Sequence, residues 1–109
     1  MLNPRKYPRV SFTATVVIFS GSTQFQGEAK EIGAGGMSIR CLAGISISQP
    51  VELEFSLSGG PSLRLPAILW WKKDGYMGFR FDPSSGIRQE IELWVHNRIG
   101  QAQYFSKPI

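Results

Sequence analysis

Val51-Glu-Leu-Glu-Phe-Ser-Leu57, Leu63-Arg-Leu-Pro-Ala-Ile-Leu-Trp-Trp71 and Tyr76-Met-Gly-Phe-Arg-Phe81 are three runs separated by Ser58-Gly-Gly-Pro61 and by Asp74-Gly75. In the first, apolar residues take every second place and the intervening ones are charged or polar, which is the period of a strand with one buried face. The breaks between the runs consist of turn formers, and Asp-Gly is favoured in tight hairpins because both of its residues tolerate positive φ. The three runs therefore read as consecutive antiparallel strands. Pro66, which cannot donate to a ladder, marks a bulge or a sheet edge inside the second.

Towards the amino end the same period recurs. Over residues 10–19, Val10, Phe12, Ala14, Val16 and Ile18 alternate with Ser11, Thr13 and Thr15, and Gly21 supplies a turn before a returning strand over residues 25–32. The glycine turn Gly33-Ala-Gly-Gly36 leads into Met37-Ser-Ile-Arg-Cys41, so it lies between two strands. Beyond Asp82-Pro83 the period changes: Ile87, Ile91, Trp94, Val95 and Ile99 recur at helical spacing, preceded by serines able to cap and followed by Gly100. The expected fold is all-β, a small six-stranded antiparallel barrel with one C-terminal α-helix covering an opening. The chain is expected to form a single domain over residues 1–109, with its core at about 4–99 and residues 101–109 as a tail.

Composition narrows the function. A chain of 109 residues with a net charge of +4 favours anionic partners, yet 18% charged residues without a basic run argue against extended nucleic-acid binding. Cys41 and His96 are the sole cysteine and histidine, so neither an internal disulfide nor a Cys/His metal cluster can form; metal ligands and cofactors are expected to be none. No run approaches the roughly 20 apolar residues of a membrane span, and a cytoplasmic protein without membrane insertion is expected. Catalysis is not expected either, since no serine or cysteine has a base beside it.

Arg5 and Arg9, in Pro4-Arg-Lys-Tyr-Pro-Arg9, are the features that point to a ligand. Residues four apart in an extended segment project to similar sides, and guanidinium forks suit phosphate oxygens and guanine edges. A small dianionic nucleotide is the guest that chemistry fits. Gly33-Ala-Gly-Gly36 lacks the Gly-Lys-Ser/Thr continuation of a P-loop and enters a strand, not a helix. Trp70 and Trp71 adjoin Lys72 and Lys73, and alternation places one tryptophan in the core and one on the surface, while Trp94 anchors the helix.

The order of these features resembles the PilZ domain family: an Arg-x-x-x-Arg arm, about twenty residues of strand, an Asp/Asn-x-Ser-x-x-Gly turn, and strands closing in Gly-hydrophobic-Arg-Phe. Arg5 and Arg9 fit the first motif, Gly36 fits the glycine of the second, and Tyr76-Met-Gly-Phe-Arg-Phe81 looks like the closing signature. The resemblance spans residues 4–99. It implies a bacterial receptor for the second messenger cyclic di-GMP, a ligand and not a cofactor, that signals to an unidentified protein partner. By the same resemblance, Arg5 and Arg9 hold phosphate and guanine, Glu31 accepts from a guanine edge, and Gly33 and Gly36 belong to the binding turn. Glu31 stands at the Asp/Asn position and Gly33 at the serine position. Those two departures fit an alternative, a degenerate PilZ domain that binds no nucleotide and serves as a protein-interaction module. Single-stranded nucleic acid on the exposed aromatics is a third and lesser reading.

Overall fold

Seven strands and one helix are formed in the computed structural model, which describes residues 8–58 and 60–106. The strands are β1 (Arg9–Ser11), β2 (Thr15–Ser20), β3 (Thr23–Gly33), β4 (Gly36–Arg40), β5 (Pro50–Ser56), β6 (Ser62–Lys73) and β7 (Tyr76–Phe81), followed by α1 (Ile87–Ser106). All pairings are antiparallel, in the order β1-β3-β2-β5-β6-β7-β4, and a further pairing of β3 with β4 closes the sheet. Six strands therefore form the expected barrel. The seventh, β1, is added beside β2 along one edge of β3.

The extra strand comes from a division of the run over residues 10–19. Ser11 lies opposite Glu31 but Thr15 lies opposite Glu28, so four steps on one side match three on the other and one residue is in excess. Such an excess is a bulge, which bends a strand and increases its twist. Pairing continues across it: Phe12 N donates to Lys30 O at 2.9 Å, and Ala29 N to Ala14 O at 2.8 Å.

Alternation fills the interior as expected. Val16 and Ile18 from β2, Leu53 and Phe55 from β5, Leu65 and Leu69 from β6, and Met77 and Phe79 from β7 are buried. Each such side chain contributes about 1.5–3 kcal/mol relative to exposure. Ile91 and Val95 bring α1 onto this core, and Trp94 meets Phe12 edge to face at 5.3 Å. Phe12 in turn packs on Phe55 at 6.1 Å, and Phe55 on Phe81 at 6.5 Å. A file of rings thus runs from the helix into the barrel.

Ser85 caps α1, its Oγ accepting from Ile87 N at 3.3 Å. Asp82 Oδ1 accepts from both the backbone N and the hydroxyl of Ser84, contacts that hold its carboxyl below the ordinary carboxylate range. The helix does not stop at Gly100 but runs to Ser106, so most of the expected tail is helical. A single glycine costs a helix only about 1 kcal/mol, and Gln101-Ala-Gln103 beyond it are helix formers. Pro66 pairs with Glu52 of β5 and lies past the end of the β6–β7 ladder. Its carbonyl accepts from Asp82 N, beyond the last β6–β7 pair at Ala67 and Phe81, so its missing donor interrupts no ladder.

The tryptophan pair departs from alternation. Leu69 lies opposite Phe79 but Trp71 lies opposite Gly78, which leaves Trp70 as the extra residue of a second bulge. Both indoles consequently face outward, Trp70 at 50% exposure and Trp71 at 38%, where alternation alone puts one of them in the core.

Closure leaves no room for a side chain at Gly36, where a Cβ would overlap the carbonyl oxygen of Phe79. Gly36→Ala should therefore destabilise the fold by about 2–4 kcal/mol and lower the melting temperature by about 10 °C or more. Gly100→Ala, with open space around the new methyl and a helical backbone, should instead stabilise by about 0.5–1 kcal/mol. Thermal unfolding followed by circular dichroism checks both.

Candidate ligand-binding groove

Strand pairing carries two rows of residues across the outer surface of the barrel. One row is Ser11, Glu31, Ser38, Gly78 and Trp71, in register over β1, β3, β4, β7 and β6. The next is Arg9, Gly33, Gly36 and Arg80. The first row is low at Ser38, a small side chain flanked by Glu31 on one side and, across Gly78, by the Trp71 indole on the other. A groove of about 670 Å³ results, within the size range of small-molecule sites. Arg9, Ser11 and Thr13 line it from the amino-terminal side, Lys30 and Glu31 from β3, and Trp71 and Tyr76 from the β6–β7 hairpin.

Bulges decide which side chains reach this groove. In β3 the register against β4 shifts between Ala29 and Glu31, so that Lys30 and Glu31, adjacent in sequence, both border the groove. The bulge in β6 does the same for Trp71, and the bulge between β1 and β2 lies at Thr13. Bulges re-aim side chains in this way next to binding sites. Trp71 lies across Gly78, where any Cβ would overlap the indole, so glycine in β7 makes room for the ring. The Lys30 ammonium stands 5.9 Å from the Tyr76 ring centroid. Trp70 points elsewhere, its ring stacked under the Arg80 guanidinium at 4.3 Å.

The expected site residues are only partly brought together. Arg9 and Glu31 line the same groove, while Arg5 lies outside the described residues. Gly33 faces Arg9 across β1 and β3, and a Cβ there would lie 2.5 Å from Pro8 O and 3.1 Å from Arg9 Cγ. Close approach of the arm backbone is what requires glycine, since positive φ among the described glycines belongs to Gly21 and Gly75. Gly36 borders β7 and not the groove, at the barrel seam.

Sequence reasoning did not assign Ser11, Thr13, Lys30, Ser38 or Tyr76 to a site. The polar alternation of Ser11 and Thr13 was a usable signal, because it placed them on the face of Arg9. Lys30 gave none, since its facing depends on a bulge.

Chemically, the groove combines cations able to meet phosphate, a carboxylate able to accept from base N–H groups, and two aromatic faces able to stack on a base. Among the described residues no group of three His, Cys, Asp or Glu could hold a metal. His96 sits on the exposed side of α1, 3.9 Å from Glu92, and takes no part in the groove. Burial raises the Cys41 thiol above its ordinary range. No helix among the described residues is long and apolar enough to cross a membrane.

Comparison with curated protein sequences gives no match. Among solved structures, the chain is similar to the Bacillus subtilis inhibitor of motility MotI/DgrA, with a TM-score of 0.75, 17% identity, and coverage of 92% of this chain and 53% of that one. It is also similar to Escherichia coli YcgR in complex with c-di-GMP, with a TM-score of 0.79, 15% identity, and coverage of 94% and 49%. The PilZ domain of CeSA from a cellulose-synthesizing bacterium matches with a TM-score of 0.68, 22% identity, and coverage of 83% and 96%. The chain spans about half the length of the first two structures. At these identities the likeness is one of fold. The family model of the PilZ domain matches residues 3–97, and with that match over most of its length the chain belongs to the PilZ domain family.

Proposed function

We propose that this domain is a receptor for cyclic di-GMP and signals to a protein partner by changing its exposed surface. The observation that carries the reading is the convergence of Arg9, Glu31 and Trp71 on one groove from three strands distant in sequence. Arg9, with Arg5 four residues before it, would hold phosphate and a guanine edge. Glu31 would accept from guanine N–H donors, its added methylene relative to aspartate moving the carboxylate by about 1.5 Å. Trp71 and Tyr76 would stack on bases. Family membership and the c-di-GMP bound by YcgR support the ligand class.

In this reading Gly33 admits Arg9 and its backbone to the edge of β3, and Gly36 admits β4 to β7. The departure at Gly33 is then a different way of meeting the ligand, through the arm instead of through a hydroxyl. The domain is a receptor and not an enzyme, and the lone thiol of Cys41 suits a reducing cytoplasm. The second reading, an interaction module without nucleotide, is favoured by Glu31 and Gly33 occupying the motif positions of a shorter acid or amide and a hydroxyl.

Calorimetric titration of the full chain with cyclic di-GMP separates the two. Saturable binding that weakens as salt rises is expected, because contacts to phosphate are screened. Absence of heat at millimolar ligand would leave the interaction module.

Within a binding protein, Arg9→Ala should nearly abolish affinity. Trp71→Ala should weaken it by about 5- to 150-fold, the worth of one stacked base, whereas Trp70→Ala should change it by less than about twofold. Gly33→Ser should weaken binding, since its Cβ would displace the Pro8 carbonyl and the Arg9 side chain. Dissociation constants for the four variants, with melting temperatures as folding controls, check these outcomes.

A further inference from the structure

Arg88 is the second residue of α1, a place where the helix dipole disfavours a cation. Its position is explained by reach. Nε donates to the carbonyl of Ala34 at 3.0 Å, and Nη1 donates to the carbonyl of Pro83, also at 3.0 Å. One rigid guanidinium therefore ties the tip of the β3–β4 hairpin to the segment leading into the helix, across 54 residues of sequence.

Ala34 and Gly35 are the two loop residues of that hairpin. The second carbonyl of the loop is also committed, since Gly35 O accepts from Phe81 N at 3.0 Å. A trans peptide unit is planar with its C=O and N–H pointing opposite ways. Arg88 on Ala34 O thus fixes the direction of the Gly35 N–H, and Phe81 on Gly35 O fixes that of the Gly36 N–H. Two of the three peptide planes of the turn are thus set by groups outside the hairpin.

We propose that Arg88 is a positioning residue for the groove, holding the β3–β4 turn so that the Glu31 and Gly33 end of β3 meets its ligand in a preset geometry. The proposal rests on the receptor reading above. Preorganisation of this kind raises affinity by removing an ordering cost from the binding step. It also couples the first turn of α1 directly to the turn.

The test compares Arg88→Gln, Arg88→Lys and Arg98→Gln in the full chain. Arg98 lies on the same helix over Trp94 and controls for loss of a helical charge. Two readouts are needed: the dissociation constant for cyclic di-GMP, and amide exchange at Gly35 and Gly36 in the free protein. Arg88→Gln should weaken binding about 10-fold and speed exchange at Gly35 about 10-fold. Arg88→Lys should not restore either, because an ammonium lacks the fork that holds two carbonyls. Arg98→Gln should match the wild type in both. Unchanged affinity and exchange in Arg88→Gln would overturn the proposal, as would a lowered melting temperature with affinity intact. If the wild-type chain itself failed to bind, the receptor reading would fall, and exchange at Gly35 would by itself decide whether Arg88 holds the turn.

Discussion

β3 is the strand on which closure depends. Along one edge it pairs with β2 and then β1, and along the other with β4, so the ring of six strands is completed only through it. Its 11 residues have to serve both edges while following the curvature of a small barrel. Bulges meet that demand, one in the β1–β2 edge opposite and one within β3 itself. Both lie beside the groove. Closing the barrel and shaping the groove are in this sense one structural event.

A second consequence concerns small residues. Where β4 meets β7, and where β6 folds over β7, Gly36 and Gly78 stand at points that a methyl group would block. The first lets two backbones approach; the second lets an indole lie flat on a strand and become a wall of the groove. Gly33 performs a related service for the arm, admitting Pro8 and Arg9. The three glycines act through what they leave empty, and their value lies in contacts made by neighbours.

Most of the fold was legible in the sequence, since the two-residue period of β5 to β7, Asp74-Gly75 and the spacing of Ile87, Ile91 and Val95 all report local chemistry. Asp74 and Gly75 do take positive φ, at 52° and 85°. The bulges were not legible. A one-residue excess leaves no mark on apolar periodicity, and for that reason the division of the first strand and the outward facing of both Trp70 and Trp71 departed from alternation. The candidate site divides along the same line. Arg9 and Glu31 could be read from motif order, but Lys30 and Trp71 reach the groove only through register shifts, and Ser38 and Tyr76 only through pairing between distant strands.

The most direct test of the central claim uses the three tryptophan indoles, whose N–H signals report separately on the groove, the outer surface beside Arg80 and the helix seam. Nitrogen–proton correlation spectra recorded during titration with cyclic di-GMP should show a large, saturable shift of the Trp71 indole. Backbone shifts should accompany it at Ser11, Glu31 and Tyr76, with Trp70 little changed. Saturable shifts centred on Trp70 and Arg80, with the Trp71 indole unmoved, would place the ligand elsewhere and contradict the assignment of the groove.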